Sequence, residues 1–432
     1  MAGSVEADWV RRDRHRVWHG FTQMAAYEEN RPVMVAAAQG RELIDVDGRR
    51  YLDAISSLWV TTLGHRVPEL DAALSEQIDL VAHSTLLGNG NRVVVELAED
   101  LAAVVPVDDP VFLFASDGAA AVEQALKIAF QYWRNLGVAD RDRYLVLGDA
   151  YHGDTVGSLS LGAGGFGTDL FDPLRFGSVV RTAGYRHAGW LDQALAVLSA
   201  EADRLVAVVV EPLVQGAAGM YVADPQDVAA LGRACRHAGV VLICDEVATG
   251  FGRTGSLFAA EQCGLRPDLM AIGKGLAAGY LPMSATVASR RIADAFLGED
   301  LGPATFYHGH SFAGNALAAA VARRHLELIR AWDVLANVEA RGEQLRIRLA
   351  ELASLPAVAE VRTCGLMAGV ELDPPAGGLR WGRRVCAAAV EAGILLRPLG
   401  DVVVVMPILT STEAEIDRIA GVVATAIAAV CN

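Results

Sequence analysis

Lysine is almost absent from this 432-residue sequence. Only Lys127 and Lys274 occur among its 37 basic residues, so arginine occupies nearly every position that merely needs a positive charge. Lys274 lies in the neutral motif AIGKGL at residues 271–276, which offers no partner for a surface ammonium. A desolvated lysine amine can lose its proton and attack a carbonyl, whereas a guanidinium cannot. The scarcity therefore favours a Schiff-base role for Lys274, although GC-rich codon usage that spared two lysines by chance explains it equally well.

Several other absences exclude classes of protein. The formal net charge is -15 and no basic stripe is present, which favours small molecules over nucleic acid or a membrane surface as partners. The six cysteines form no C-x-x-C pair, which predicts free thiols in a reducing, cytoplasmic setting. No apolar signal segment is visible, and the last apolar run, residues 419–431, is too short to span a bilayer.

The order of apolar runs indicates an α/β fold. Strand-like runs at residues 111–115, 144–147, 205–210 and 240–244 lack polar alternation, as expected for a mostly parallel sheet covered by helices on both faces. Stretches with helical spacing lie between them. We therefore expect a large domain over residues 76–315 and a smaller α+β domain built from residues 1–75 and 316–432, with a hairpin at residues 42–53 and a long helical stretch at residues 317–350.

Asp245 ends one of the apolar runs, at the sheet edge where open α/β folds bind ligands. A buried carboxylate there needs a cation, and the protonated pyridine nitrogen of pyridoxal phosphate would supply one. Simple capping of the next helix is the alternative. The motif SDGA at residues 116–119 opens a helix whose free N–H groups would suit a phosphate, with Gly118 permitting close approach.

Two further motifs follow strand-like or loop segments. Tyr151 would stack on a flat heterocycle, although a packed turn is an equally ordinary role. The motif HGHS at residues 308–311 would offer a hydroxyl to phosphate. Its paired histidines have no third ligand at a recognisable spacing, so we expect no metal site.

Other catalytic motifs fail on context. The run at residues 162–167 satisfies G-x-G-x-x-G, but no helix pattern follows it, so the dinucleotide interpretation loses its support. Neither lysine completes a Walker A motif, and G-x-S-x-G and H-E-x-x-H are missing from the sequence. A nicotinamide oxidoreductase and a non-catalytic binding protein remain as rivals outside the favoured class.

Taken together, these residues resemble the fold type I pyridoxal-phosphate enzymes of the class III (omega) aminotransferase family. The likeness covers nearly the whole chain and is strongest for the subgroup that makes 7,8-diaminononanoate in biotin biosynthesis. Its motifs are WHGFTQM at residues 18–24, SSLW at 56–59, YHGDT at 151–155, DEVATGFGRTG at 245–255, HGHSFAGN at 308–315 and RPLGD at 397–401.

The resemblance implies a role for each matching residue. Lys274 would form the Schiff base with the cofactor, Asp245 would pair with the pyridine nitrogen and Tyr151 would stack on the ring. Ser311 would reach the phosphate of a neighbouring subunit, which implies a homodimer with shared active sites. The other implied cofactor contacts are Gly118, Ala119, Val247 and His310. The implied substrate contacts are Phe21, Leu58, Trp59, Tyr151, Gly309 and Arg397, of which Arg397 would take the substrate carboxylate.

Three positions depart from the pattern of some members. Phe21 and Leu58 stand where members that use S-adenosylmethionine have tyrosine and tryptophan, and Ala119 stands where serine is common. The resemblance thus implies ping-pong transamination of 8-amino-7-oxononanoate, with lysine or S-adenosylmethionine as amino donor. A transaminase for another omega-amino acid or a diamine is the alternative within the family.

Overall fold

The structure, a computed structural model, describes residues 5–162, 168–375 and 380–431. Residue contacts divide the chain into two compact units, of which the larger comprises Glu69–Ala336. The other comprises Met1–Pro68 together with Asn337–Asn432. The larger unit ends later than the boundary expected at residue 316, because helix Ala316–Ala331 packs on helix Arg92–Ala102 and shares its apolar core.

The secondary structure of the described residues consists of α-helices, β-strands and short 3-10 turns. The helices are α1 (Val5–Arg16), α2 (Ser56–Trp59), α3 (Pro68–Ile78), α4 (Arg92–Ala102), α5 (Gly118–Asn135), α6 (Val156–Leu161), α7 (Trp190–Glu201), α8 (Pro225–His237), α9 (Ala259–Gln262), α10 (Arg290–Asp294), α11 (Ala316–Ala331), α12 (Val334–Ala350), α13 (Trp381–Glu391) and α14 (Glu413–Val430). The strands are β1 (Val35–Gln39), β2 (Glu42–Asp45), β3 (Arg50–Asp53), β4 (Pro110–Ala115), β5 (Arg143–Leu147), β6 (Val179–Thr182), β7 (Leu205–Val210), β8 (Val214–Gln215), β9 (Tyr221–Val222), β10 (Val241–Asp245), β11 (Leu269–Ile272), β12 (Ser284–Ser289), β13 (Val358–Cys364), β14 (Met367–Leu372), β15 (Ile394–Leu395), β16 (Arg397–Leu399) and β17 (Val402–Val405).

A seven-stranded sheet forms the centre of the larger unit, in the order β4-β12-β11-β10-β7-β5-β6. Strand β12 runs antiparallel to both of its neighbours, and the remaining pairs are parallel. Strands β7 and β10 are buried along their whole length, as their uninterrupted apolar runs predict. The predicted α/β class with a mostly parallel mixed sheet is confirmed.

The two faces of this sheet are filled by separate clusters of apolar side chains. On β11, Leu269 and Ala271 join the cluster under α5, whereas Met270 and Ile272 join the cluster under α4 and α11. This division follows from the alternation of side chains along a strand. Since β5, β7, β10 and β11 are parallel, their carboxyl ends meet at one sheet edge, and the residues that follow them are brought together there.

The smaller unit contains two four-stranded sheets, β1-β2-β3-β15 and β13-β14-β17-β16. The predicted hairpin is present, because β2 and β3 pair antiparallel around Gly48, which has φ +82°. The predicted helical stretch at residues 317–350 comprises two helices, α11 at the end of the larger unit and α12. The chain turns at Trp332 and Asp333, where Asp333 adopts φ +50°, before α12 begins. In the described part of the chain, no helix has both the length and the apolar character needed to cross a membrane.

Candidate active site

Lys274 begins a 3-10 turn directly after β11. Its φ is +41°, in the left-handed region that a non-glycine residue rarely adopts. At the preceding Gly273, an added Cβ would lie 3.3 Å from the Cβ of Ser284, so a larger residue would crowd this turn. Burial lowers the pKa of the Lys274 amine and outweighs the opposing charges of Asp245 and Glu211. A lowered pKa keeps more of the amine neutral and nucleophilic near neutral pH.

Asp245 is the last residue of β10 and is buried, with 5% of its surface exposed. The parallel pairing of β10 with β11 sets Asp245 opposite Ala271, three residues before Lys274. Its Oδ1 accepts a hydrogen bond from the Val247 N–H at 3.0 Å, and its Oδ2 accepts one from Nδ1 of His152 at 2.7 Å. The carboxylate is thereby fixed in orientation and available to a cation.

His152 and Glu211 complete this buried group of charges, and the sequence analysis assigned neither of them a role. Burial by itself would lower the pKa of His152, but the hydrogen bond from its ring to Asp245 and the charge of Glu211 raise it overall. Burial raises the pKa of Glu211 to about 7. Glu211 comes directly after β7, just as Asp245 is the last residue of β10. Its position at a strand end could therefore have indicated from the sequence that it belongs to the site.

Tyr151 lies in the segment after β5. Its backbone N–H donates to Oε1 of Glu211 at 3.1 Å, and its hydroxyl donates to Oδ2 of Asp154 at 2.9 Å. Burial, aided by the charge of Asp154, raises the pKa of the hydroxyl. The phenol therefore stays protonated at neutral pH. Hydrogen bonds hold Tyr151 both at its backbone N–H and at its hydroxyl.

The start of α5 forms a narrow cradle of small residues. Asp117 caps the helix by accepting from the Ala120 N–H at 2.9 Å. A Cβ added at Gly118 would lie 2.5 Å from Cγ1 of Val247, so only glycine lets these two segments approach so closely. A Cβ added at Gly153 would likewise lie 2.5 Å from the Cβ of Ala119. The free N–H groups and dipole of an 18-residue helix point toward this cradle, as an anion site requires.

The segment at residues 308–311 contacts the cradle through His310, whose Nδ1 lies 3.4 Å from Oγ of Ser116. The Nε2 atoms of His310 and His152 are buried and have no hydrogen-bond partner among the described residues. The hydroxyl-bearing Ser311 is exposed, and its carbonyl accepts from Nε2 of His83 at 2.6 Å. A Cβ added at Gly309 would lie 2.8 Å from Cδ2 of Leu87.

These groups match the chemistry of pyridoxal phosphate. Asp245 suits a protonated pyridine nitrogen, the N–H groups of the cradle suit a phosphate, and the Lys274 amine suits an aldehyde. The buried nitrogens of His152 and His310 are further hydrogen-bonding atoms within the same group of residues. Over the described ranges, no group of three or more His, Cys, Asp or Glu side chains is arranged to hold a metal ion.

The remaining predicted residues belong to the smaller unit. Arg397 begins β16 and pairs with Val404 of β17. Phe21 is 54% exposed and has φ +52°. Leu58 and Trp59 occupy α2, where Leu58 is half-exposed and Trp59 is buried.

Helix α2 is a left-handed turn. Its four residues, Ser56 to Trp59, have φ values of +49°, +47°, +71° and +70°. Left-handed helical geometry costs roughly 1–2 kcal/mol per residue for L-amino acids. Asp53 holds the turn, because its Oδ1 accepts from the Ser57 N–H at 3.0 Å and its Oδ2 accepts from the Ser57 hydroxyl at 2.7 Å.

The rejected dinucleotide motif at residues 162–167 lies outside the described residues, apart from Gly162. The described flanks do not match a dinucleotide-binding motif either, because helix α6 and not a strand precedes it, and a 3-10 turn at Thr168–Leu174 and not an α-helix follows it.

The chain is similar to known proteins along nearly its whole length. The family model for class III aminotransferases matches residues 23–427. The adenosylmethionine-8-amino-7-oxononanoate aminotransferase of Nitratidesulfovibrio vulgaris is 43% identical, over 97% of this chain and 81% of its own length. The crystal structure of the protein of that name from Methanocaldococcus jannaschii matches with a TM-score of 0.95 at 34% identity, covering 98% of this chain and 99% of that one. The structure of an amine transaminase from an uncultivated Pseudomonas species, described as PLP-bound, matches with a TM-score of 0.90 at 31% identity, over 96% and 99% of the two chains.

Proposed function

The chain belongs to the class III aminotransferase family and is a pyridoxal-phosphate-dependent transaminase, and from this premise we propose that it aminates 8-amino-7-oxononanoate to 7,8-diaminononanoate in biotin biosynthesis. The observation that carries the chemistry is the placement of Lys274 and Asp245 at adjoining strand ends, with the pKa of Lys274 lowered by burial. Relatives that bear the name of the oxononanoate enzyme, at 38–43% identity over at least 95% of this chain, support the substrate.

The residues of the larger unit that we assign to the reacting part of the cofactor have different roles in the proposed reaction. When bound, pyridoxal phosphate supplies an aldehyde that takes up the amino group and a ring that withdraws electrons from the neighbouring carbon. Asp245 holds the proton on the pyridine nitrogen, with His152 orienting the carboxylate. Lys274 would hold the cofactor through its amine, and the same amine would serve as the base that moves a proton at the reacting carbon.

The contacts to the rest of the cofactor follow from the cradle. Gly118 and Ala119 donate backbone N–H groups to the phosphate. Tyr151 would stack on the cofactor ring, Val247 would contact it, and His310, which lies next to Ser116, would contact the phosphate. These assignments depend on the close packing of Gly118 against Val247, which leaves no space for a side chain at position 118.

Most of the proposed acceptor contacts belong to the smaller unit, whereas Gly309 belongs to the larger one. We assign the carboxylate of 8-amino-7-oxononanoate to Arg397, because a guanidinium binds a carboxylate with two parallel hydrogen bonds. Phe21, Leu58 and Trp59 contact its aliphatic chain, and Gly309 leaves room for it. The amino donor is lysine or S-adenosylmethionine.

We further propose a homodimer in which Ser311 reaches the phosphate held by the other subunit. Large apolar side chains are exposed on two segments that meet where His83 contacts Ser311: Leu80 and Leu87 on one, at 73% and 61%, and Tyr307 and Phe312 on the other, at 65% and 64%. His83 joins the two segments that carry them, through its bond to Ser311 and its ring contact with Phe312 at 5.3 Å. Such an apolar surface is typical of a buried protein–protein interface. We propose a second copy of the chain as the partner, because it would bring Ser311 to the phosphate of another cofactor site.

The cytoplasm is the proposed location, which the absence of any disulfide among the six cysteines supports.

Two experiments test this proposal. Purified protein is expected to show visible absorbance from the Schiff base between Lys274 and the cofactor, which is lost in Lys274→Ala, and borohydride reduction is expected to fix the cofactor mass on the Lys274 peptide. Lysine and S-adenosylmethionine are then added separately, followed by 8-amino-7-oxononanoate. If neither donor changes the spectrum, the biotin assignment fails and a transaminase for another omega-amino acid or a diamine takes its place. A colourless protein that binds no pyridoxal phosphate would overturn the assignment of the site.

Mixed dimers test the shared sites. Pairing a Lys274→Ala subunit with a Ser311→Ala subunit leaves one intact site if Ser311 acts across the interface, and none if it acts within its own subunit. Wild-type cofactor affinity at half occupancy is therefore the expected result. Uniformly weakened binding would refute the shared arrangement.

A further inference from the structure

Lys127, the second of the two lysines, lies outside the group of residues that binds the reacting end of the cofactor. It projects from α5 about two and a half turns beyond Gly118, and its Nζ lies 2.9 Å from Nδ1 of His308. It also lies 5.7 Å from the ring centroid of Phe306, which stacks on His308. Lys127 thus contacts the segment that leads into His310 and Ser311.

A second residue of α5 holds the same segment one helical turn further along. The side-chain amide of Gln131 lies 3.3 Å and 3.1 Å from the carbonyl oxygens of Ala304 and Thr305, to which it donates. At the far end of the segment, His310 contacts Ser116 immediately before the helix. The segment therefore runs antiparallel along α5 and is fastened at its start, its middle and its end.

We propose that Lys127 is a positioning residue for the cofactor phosphate, because its bond to His308 holds His310 beside Ser116 at the phosphate end of α5. This inference rests on the cofactor site of the proposed function. It is independent of which amino acceptor the enzyme uses.

The chemistry of the contact makes it dependent on protonation. An ammonium only donates hydrogen bonds, so Nδ1 of His308 must accept, and the ring must be neutral with its proton on Nε2. Burial, followed by the charges of Lys127 and His310, lowers the pKa of His308, and only Glu123 on α5 opposes them. Glu123 is itself engaged by the Thr155 hydroxyl and the Gly157 N–H, at 2.6 Å and 2.8 Å.

The lowered pKa of His308 sets the direction of the pH effect on this hydrogen bond. The bond is present while His308 is neutral and is lost as the pH falls through a pKa that lies below the ordinary value of about 6.5. Protonation would set two cations against each other and release the segment.

The test measures the dissociation constant of pyridoxal phosphate by titration of the apoprotein at pH 7.5 and at a series of lower pH values down to the limit at which the apoprotein stays folded. Lys127→Met is expected to weaken binding about tenfold at pH 7.5, the factor typical of losing one hydrogen bond to a charged group. His308→Asn, whose amide oxygen still accepts from Lys127 and does not titrate, is expected to retain wild-type affinity at pH 7.5. Arg134→Met on the same helix is the matched control, because Arg134 bonds to the carbonyl of Val138 instead of the segment.

The pH dependence separates positioning from a merely structural role. The cofactor phosphate titrates in all variants alike, so the additional loss of affinity at low pH in wild type, missing in His308→Asn and Lys127→Met, reports His308. Thermal unfolding of each apoprotein checks that the variants fold. Equal affinities in wild type and folded Lys127→Met at every pH measured would overturn the inference, whereas a wild-type protein that fails to aminate the oxononanoate would refute only the proposed acceptor.

Discussion

Nδ1 of His152 lies 2.7 Å from Oδ2 of Asp245, and both side chains are buried. The bond fixes the carboxylate that we assign to the pyridine nitrogen. Replacing His152 with leucine is expected to lower kcat/KM of the donor half-reaction about 10–100-fold, because a hydrogen bond to a buried charge is lost. Stopped-flow absorbance of the cofactor measures this rate.

His152→Asn provides the matched comparison, since its side-chain amide still donates a hydrogen bond. We expect the asparagine variant to be much closer to wild type than the leucine variant. Equal rates in all three proteins would show that Asp245 needs no support from this ring.

Gly118 and Val247 give a second prediction, based on close approach. A methyl group at position 118 would lie 2.5 Å from Cγ1 of Val247, far inside van der Waals contact. Gly118→Ala is therefore expected to cost about 1–3 kcal/mol of strain and to weaken binding of pyridoxal phosphate at least tenfold. Titration of the apoprotein measures the affinity.

The double variant Gly118→Ala/Val247→Ala tests the cause. Removing the two Cγ atoms of Val247 makes room for the new methyl group, so the double variant is expected to bind the cofactor more tightly than Gly118→Ala alone. Additive losses in this double-mutant cycle would place the defect elsewhere.

Arg397 gives a third prediction, on the acceptor. Arg397→Lys keeps the charge but loses bidentate geometry, so the KM for 8-amino-7-oxononanoate is expected to rise about tenfold, and Arg397→Ala about a hundredfold. Steady-state kinetics at saturating donor measures both. Arg384→Ala, a change at an exposed arginine of α13, is the control and should leave KM unaltered. An unchanged KM in Arg397→Ala would assign the carboxylate to another residue.

The sequence predicts those parts of the fold that depend on local pattern. The uninterrupted apolar runs of β7 and β10 indicated buried parallel strands, and Asp245 could be placed at their carboxyl edge for that reason alone. Lys274 was visible through composition, because a lysine in an arginine-rich chain among neutral neighbours needs an explanation.

Features that depend on contacts distant in sequence were not predictable. His152 stands 93 residues before Asp245, and no local pattern connects them. The left-handed turn of α2 is a stronger case, because serine, leucine and tryptophan all disfavour positive φ. Hydrogen bonds donated by Ser57 to Asp53, and by the Ser56 hydroxyl to the carbonyl of Met406 at 2.7 Å, override the local preference. The role proposed for this turn comes from the family resemblance. Its strained backbone lowers the stability of the fold, so the surrounding contacts must hold the turn in place.

Asp53 gives the last prediction, which concerns stability. Only 1% of its surface is exposed, and besides Ser57 it accepts a hydrogen bond from Nε2 of His65 at 3.0 Å. Burial would raise the pKa of Asp53, but the bonds from His65 and Ser57 outweigh it and lower the pKa overall. Asp53→Asn is expected to reduce the free energy of unfolding by about 2 kcal/mol at pH 7, because it removes a charged acceptor from the turn.

The stability lost in Asp53→Asn is expected to become smaller at low pH. A lowered folded-state pKa means that the carboxylate stabilises the fold fully above its unfolded pKa of about 3.9, and that this contribution disappears as the pH falls further. The difference between wild type and Asp53→Asn should therefore narrow between pH 4 and pH 3 in urea unfolding. Asp47→Asn, at an exposed position of the neighbouring hairpin, should match wild type throughout. A difference that stays constant with pH would mean that the ionised carboxylate does not hold the left-handed turn.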